Sequence, residues 1–162
     1  MSIPLVLAVI LALVHLPFAI GLSWVDAREH RLPNLGVLAI TGAVACAGGT
    51  YALLVPEFRQ QLALALTLAF VGGIGAIILA LAIPGSIGMG DAKVFPSTLA
   101  AAGMLGLGPL VGALAWICIV GAVCSVIVLL GTRGNLKARF AFGPVLLSAP
   151  YGGVALTALG ML

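Results

Sequence analysis

The sequence predicts an all-α protein, a polytopic membrane helix bundle of about six transmembrane helices with both termini outside. Three observations carry that expectation. Hydrophobic residues make up 63% of the 162 and charged residues 7%, against roughly 25% charged in a soluble domain. Apolar runs alternate with short polar breaks along the whole chain. The basic residues are also lopsided. If six spans alternate sides, one side takes Arg28, Arg31, Lys93, Arg133, Lys137 and Arg139, and the other takes Arg59 alone. Such a bias places the richer side in the cytoplasm. Residues 1–162 are expected to form one transmembrane domain in the lipid bilayer, with no soluble appendage.

Each run has its own signature. The first, about 3–22, lacks the basic leading segment of a signal peptide and is too long for one, so it is taken as a membrane helix. The polar stretch "SWVDAREHRLPN" follows it. The second run, about 35–55, opens after Pro33 and Asn34, with proline where a first-turn amide is dispensable. The third covers about 62–83 and the fourth about 94–108. Between them lies "PGSIGMGDAKV". "GLGPL" at Gly106–Leu110 divides the fourth run from the fifth, about 110–131, because Gly-Pro breaks helices. The sixth starts near 143 and runs to the end. Small residues recur at four-residue spacing, as Thr41, Ala45 and Gly49 and as Gly72, Ala76 and Ala80. Both rows are expected at close helix–helix contacts.

The net charge of +3 comes from basic residues scattered over short loops, which gives no nucleic-acid surface. Cys46, Cys118 and Cys124 lie within apolar runs without a C-x-x-C pair. They are expected as small buried residues, not as a metal site or a disulfide framework. No cofactor or metal is implied.

The chemistry is expected at the aspartates. Asp26 and Asp91 are the chain's only two, and both fall on the basic side at helix ends. Two carboxylates sharing a site hold one proton between them. The ionised member takes a proton from water while the protonated member donates to a substrate carbonyl, which suits peptide hydrolysis without metal or covalent intermediate. Asp91, near a helix N-terminus with Lys93 close by, is expected as the ionised member. Gly88 and Gly90 precede it and allow positive φ or close backbone approach by an extended substrate.

"GMGDAK" resembles the G-x-G-D-x-K motif of type IV prepilin peptidases and their archaeal preflagellin relatives. "DAREHRLPN" at Asp26–Asn34 is similar to that family's first aspartate motif. "FAFGPVLLSAP" at Phe140–Pro150 resembles its P-F-G-P stretch, with Ala141 in place of the first proline. The resemblance implies a membrane aspartic endopeptidase that cuts the leader of prepilin-like precursors at the cytoplasmic face of a prokaryotic cell membrane. It makes Asp26 and Asp91 catalytic, with Gly88, Gly90, Lys93, Pro33, Asn34, Phe142, Gly143 and Pro144 binding substrate or supporting the pair. The paired cysteines of the larger, methylating members are missing, so no N-methyltransferase activity is expected. A single chain and a homodimer both stay open.

A small proton-coupled membrane transporter is the alternative, since membrane carboxylates also mark proton paths. Transport sites tend toward the bilayer midplane, whereas these aspartates flank the spans. His15 is the one strongly polar group deep in the first run. It is either a functional group or a hydrogen-bond partner for a neighbouring helix.

Overall fold

The structure is a computed structural model that describes residues 4–83, 87–133 and 140–161. Among these residues the chain forms six α-helices: α1 Leu5–Glu29, α2 Asn34–Leu54, α3 Arg59–Ala82, α4 Met89–Leu105, α5 Leu107–Gly131 and α6 Gly143–Ala158. A 3-10 turn at Pro56–Phe58 leads into α3. Four stretches, α1, α2, Pro56–Ala82 and α5, are long and apolar enough to cross a membrane. The 17 residues of α4 and 16 of α6 rise only about 25 Å each, short of the roughly 30 Å hydrocarbon layer. Lys137 and Arg139, counted above for sidedness, lie outside the described residues.

The shorter helices lie inside and the longer ones around them. α4 packs against all five other α-helices, and Ala92, Val94 and every residue from Ser97 to Leu105 are buried. α5 leaves Val123, Val126, Ile127 and Leu130 exposed, and α3 does the same with Phe70, Val71 and Ile78. Bare aliphatic side chains around a small-residue interior suit a lipid environment. Cys46 and Cys118 belong to that exposed surface, so the expectation that they are buried fails. In lipid an apolar residue gains nothing by turning inward.

The helices alternate in direction, so their ends gather in two sets. At one end Gly90 of α4 packs on Leu32 between α1 and α2. Lys93 Nζ donates to Asn34 Oδ1 at 2.9 Å. The Gly143 amide, at the start of α6, donates to Asp26 near the end of α1. At the other end Gln61 Nε2 donates to the Met104 carbonyl at 2.7 Å, and Arg59 Nε donates to the Ala52 carbonyl at 3.2 Å. Both bonds satisfy carbonyls that a helix end leaves open. The break between α4 and α5 is a single residue, Gly106, at φ 128° and ψ 174°, which a side chain rarely permits.

Two local expectations change. α1 runs past its apolar segment to Glu29 and ends only at His30, in the left-handed region at φ 50°. The polar stretch after the first run is therefore mostly helix, with Trp24 and Arg28 outward and Asp26 inward. The guanidinium of Arg28 sits 4.2 Å over the Trp24 ring, an arrangement suited to a membrane surface. Of the small-residue rows, the one on α3 works as expected: Gly72 lies under Leu99 and Phe95, Gly73 under Pro96, and Ala76 is buried. On α2 the packed row is instead Ile40, Val44, Ala47 and Gly48. Ala45 is exposed and Gly49 has open space beside it.

Candidate active site

The site is assembled from the ends of four helices. Asp26 is in the last turn of α1, 5% exposed. Its Oδ2 accepts a 2.8 Å hydrogen bond from the Gly143 amide. That amide is one of the unpaired donors at the start of α6, and it faces the carboxylate because position 143 has no side chain. A Cβ there would come within 2.6 Å of Oδ2 and 3.0 Å of Cγ. Pro144 follows, half-buried, at a position where proline needs no donor. Phe142, also half-buried, packs into the apolar cluster of Leu22, Leu32, Val94 and Leu146. The F-G-P stretch thus begins the helix and also lines the acid.

Asp91 lies in the first turn of α4, ahead of the apolar run, and is half-buried. Burial first, and the charge of Asp26 second, push it from its ordinary 3.8 up to about 6. The ends of α1 and α4 that carry the two acids lie at the same end of the bundle, where Gly90 packs on Leu32. The direction of the shift in Asp91 runs against the expectation that it is the ionised member. Helix dipole and Lys93 were expected to keep Asp91 ionised, but Lys93 is turned away to Asn34, and desolvation together with a like charge outweighs the dipole. Asp26 accepts a hydrogen bond from a backbone amide, while burial and the charge of Asp26 raise Asp91 toward its protonated form.

The glycines act through contact, not through unusual dihedrals. Gly88 caps α4 at φ −64° and ψ 137°, and among the described residues only Gly106 and Gly160 are glycines at positive φ. A Cβ on Gly88 would lie 2.8 Å from Asp91 Oδ2, so its absence leaves room for the carboxyl. A Cβ on Gly90 would press on Leu32 at 3.2 Å, where a substrate strand was expected. Leu32, buried and lying between Asp26 and Asn34 in the chain, is the neighbour that requires glycine at position 90, and nothing in its hydropathy singles it out. Pro33 is the residue preceding α2, in extended conformation, and Asn34 opens that helix as the acceptor for Lys93.

No protein-family model, curated protein or solved structure matches this chain. The site is therefore judged on its own geometry. Three segments far apart in sequence, Asp26–Asn34, Gly88–Lys93 and Phe142–Pro144, meet at one end of the bundle. Among the described residues no group of three or more His, Cys, Asp or Glu could hold a metal ion. Glu29 and Arg31 form an ion pair at 3.1 Å, but with 51% and 80% of their side chains exposed it contributes little.

Proposed function

We propose that this protein is a membrane-embedded aspartic endopeptidase that removes the leader of prepilin-like precursors, whether pilin, pseudopilin or archaellin. The observation that supports it most is that Asp26 and Asp91 lie at the same end of the bundle, one accepting from a backbone amide and the other raised toward its protonated form by burial and by the charge of Asp26. In this mechanism a water between the carboxyls loses a proton to Asp26 and attacks the scissile carbonyl carbon. Asp91 gives its proton to the carbonyl oxygen. Collapse of the tetrahedral species breaks the C–N bond, the leaving nitrogen takes a proton from Asp26, and Asp91 is reprotonated as the carbonyl re-forms. The products are a free carboxylate and a new N-terminus.

In the proposed arrangement α1, α2, α3 and α5 cross the membrane, and the shorter α4 and α6 are enclosed by them and complete the six passes with their flanking residues. In the same arrangement both termini lie outside, and the dyad sits at the cytoplasmic face of a prokaryotic cell membrane. The dyad's place at helix ends favours hydrolysis at the membrane edge over a midplane transport site. The test is cleavage of a leader-bearing peptide by purified protein in liposomes, with the new N-terminus read by mass spectrometry. Asp26→Asn and Asp91→Asn are each expected to lower the rate by about 10²–10⁴-fold while inserting normally. Full activity in either variant would overturn the proposal.

A further inference from the structure

The face of α1 that leads to the dyad carries a polar group that hydrolysis does not use. His15, 1% exposed, has Nδ1 2.9 Å from Tyr151 Oη on α6. Its Nε2 is closed to solvent and has no hydrogen-bond partner among the described residues. Two cavities flank this pair. One of about 280 Å³ between α1, α4 and α6 is lined by Leu11, His15, Ala101 and Tyr151. Another of about 360 Å³ between α1 and α6 is lined by Ala19, Ala27, Pro144 and Tyr151. Tyr151 borders both, and Pro144 adjoins the amide that holds Asp26. The two cavities lie one after the other along α1, the first beside Ala8 to His15 and the second beside Leu16 to Ala27, as an interrupted apolar groove that passes His15 toward the level of the dyad.

We propose that this groove seats the apolar stem of the substrate, and that His15 reads a neutral polar side chain on that stem; the inference rests on the peptidase function above. The chemistry of the occupant follows from the site. Nε2 is closed to bulk water, so its partner arrives with an apolar body of its own. Nε2 donates if Tyr151 donates to Nδ1, and accepts if Nδ1 donates to Tyr151. A hydroxyl or a primary amide answers both cases. The apolar walls disfavour a charge. Depth sets the position. His15 lies eleven residues from Asp26 on one continuous helix, which puts it roughly 16 Å further into the membrane. A stem helical from the cut reaches that depth about eleven residues on, and one with about three unwound residues reaches it about seven residues on.

The experiment uses synthetic peptides with a basic leader and a Leu/Ala stem of about 20 residues, with one Gln walked along the stem. Wild-type protein is expected to show kcat/KM about tenfold above the plain stem, through KM, when Gln stands about seven to eleven residues past the cut. His15→Leu should remove that preference while still cutting the plain stem, and His15→Gln should restore part of it. A flat profile, a maximum elsewhere, or a preference that survives His15→Leu would overturn the inference and leave the peptidase standing. A benzophenone placed at the same stem position, in the Asp91→Asn protein, should crosslink to α1 and α6. Adducts confined to α5 would overturn the seat. Adducts on α1 and α6 without cleavage of any peptide by wild type would keep the seat and refute the peptidase.

Discussion

A methyl group at position 143 would come within 2.6 Å of Asp26 Oδ2, and one at position 88 within 2.8 Å of Asp91 Oδ2. The two glycines are not equivalent. At Gly143 the added atom also presses on Asp26 Cγ and Cβ, and it displaces the carboxyl from its amide. At Gly88 it meets mainly the tip of a half-buried side chain that can swing away. Gly143→Ala is therefore expected to lower leader cleavage on the order of 100-fold, and Gly88→Ala by less, in the same liposome assay. Asp91 also sets the pH response. Its proton is held up to about 6 in the folded protein and leaves near 3.8 otherwise, so between those values the folded state binds more protons. Stability from this group is fully present below 3.8 and is lost as pH rises through about 6. On the proposed mechanism, in which Asp91 donates the proton, cleavage should fall over the upper part of the same window. Initial rates and urea midpoints in mild detergent across pH 3.5–8 check both, and Asp91→Asn should lack the stability slope.

The helix ends opposite the dyad rely on two side chains. Gln61 donates to the Met104 carbonyl at 2.7 Å, at the point where Gly106 interrupts α4 and α5. Gln61→Leu leaves that acceptor unpaired. It should destabilise the fold by about 1–3 kcal/mol, seen as a lower thermal midpoint in detergent, with the activity of the folded fraction kept. Such pairings were invisible to hydropathy, which registers the cost of polar atoms in lipid but not where they find partners. The apolar runs and a break within Gly106–Leu110 were legible, but the break falls at Gly106 and not at Gly108 and Pro109, which lie in the first turn of α5 where proline needs no donor. The extent of α1 was not legible: its last two turns are amphipathic, so the apolar run stops at residue 22 while the helix continues to Glu29. The packed face of α2 was also hidden, since the Thr41, Ala45 and Gly49 row and the row that packs are both rich in small residues. Of the site, both acids were legible as aspartates at helix ends. The hold of the Gly143 amide on Asp26 was not, because the two residues lie over a hundred positions apart.

For the molecule as a whole, orientation is the expectation that one labelling experiment decides. Arg31 and Glu57 are exposed at opposite ends of the bundle. Arg31→Cys should react with a membrane-impermeant maleimide only in inverted vesicles, and Glu57→Cys only from the outside. The three native cysteines, set among apolar residues, should stay unlabelled because a thiol in lipid does not ionise. The same labelling of both from one side would exclude an odd number of crossings between them, and with it the single crossing by α2 that the proposed topology requires. The placement of α4 bears on how a substrate gets in. A pivot that touches every partner cannot itself serve as the door, since shifting it would disturb five contacts at once. The contact between α1 and α6 is looser, being bordered by two hollows, and only the four residues from His30 to Pro33 tie α1 to α2; on the proposed function, a substrate is expected to enter at that rim and not through α4.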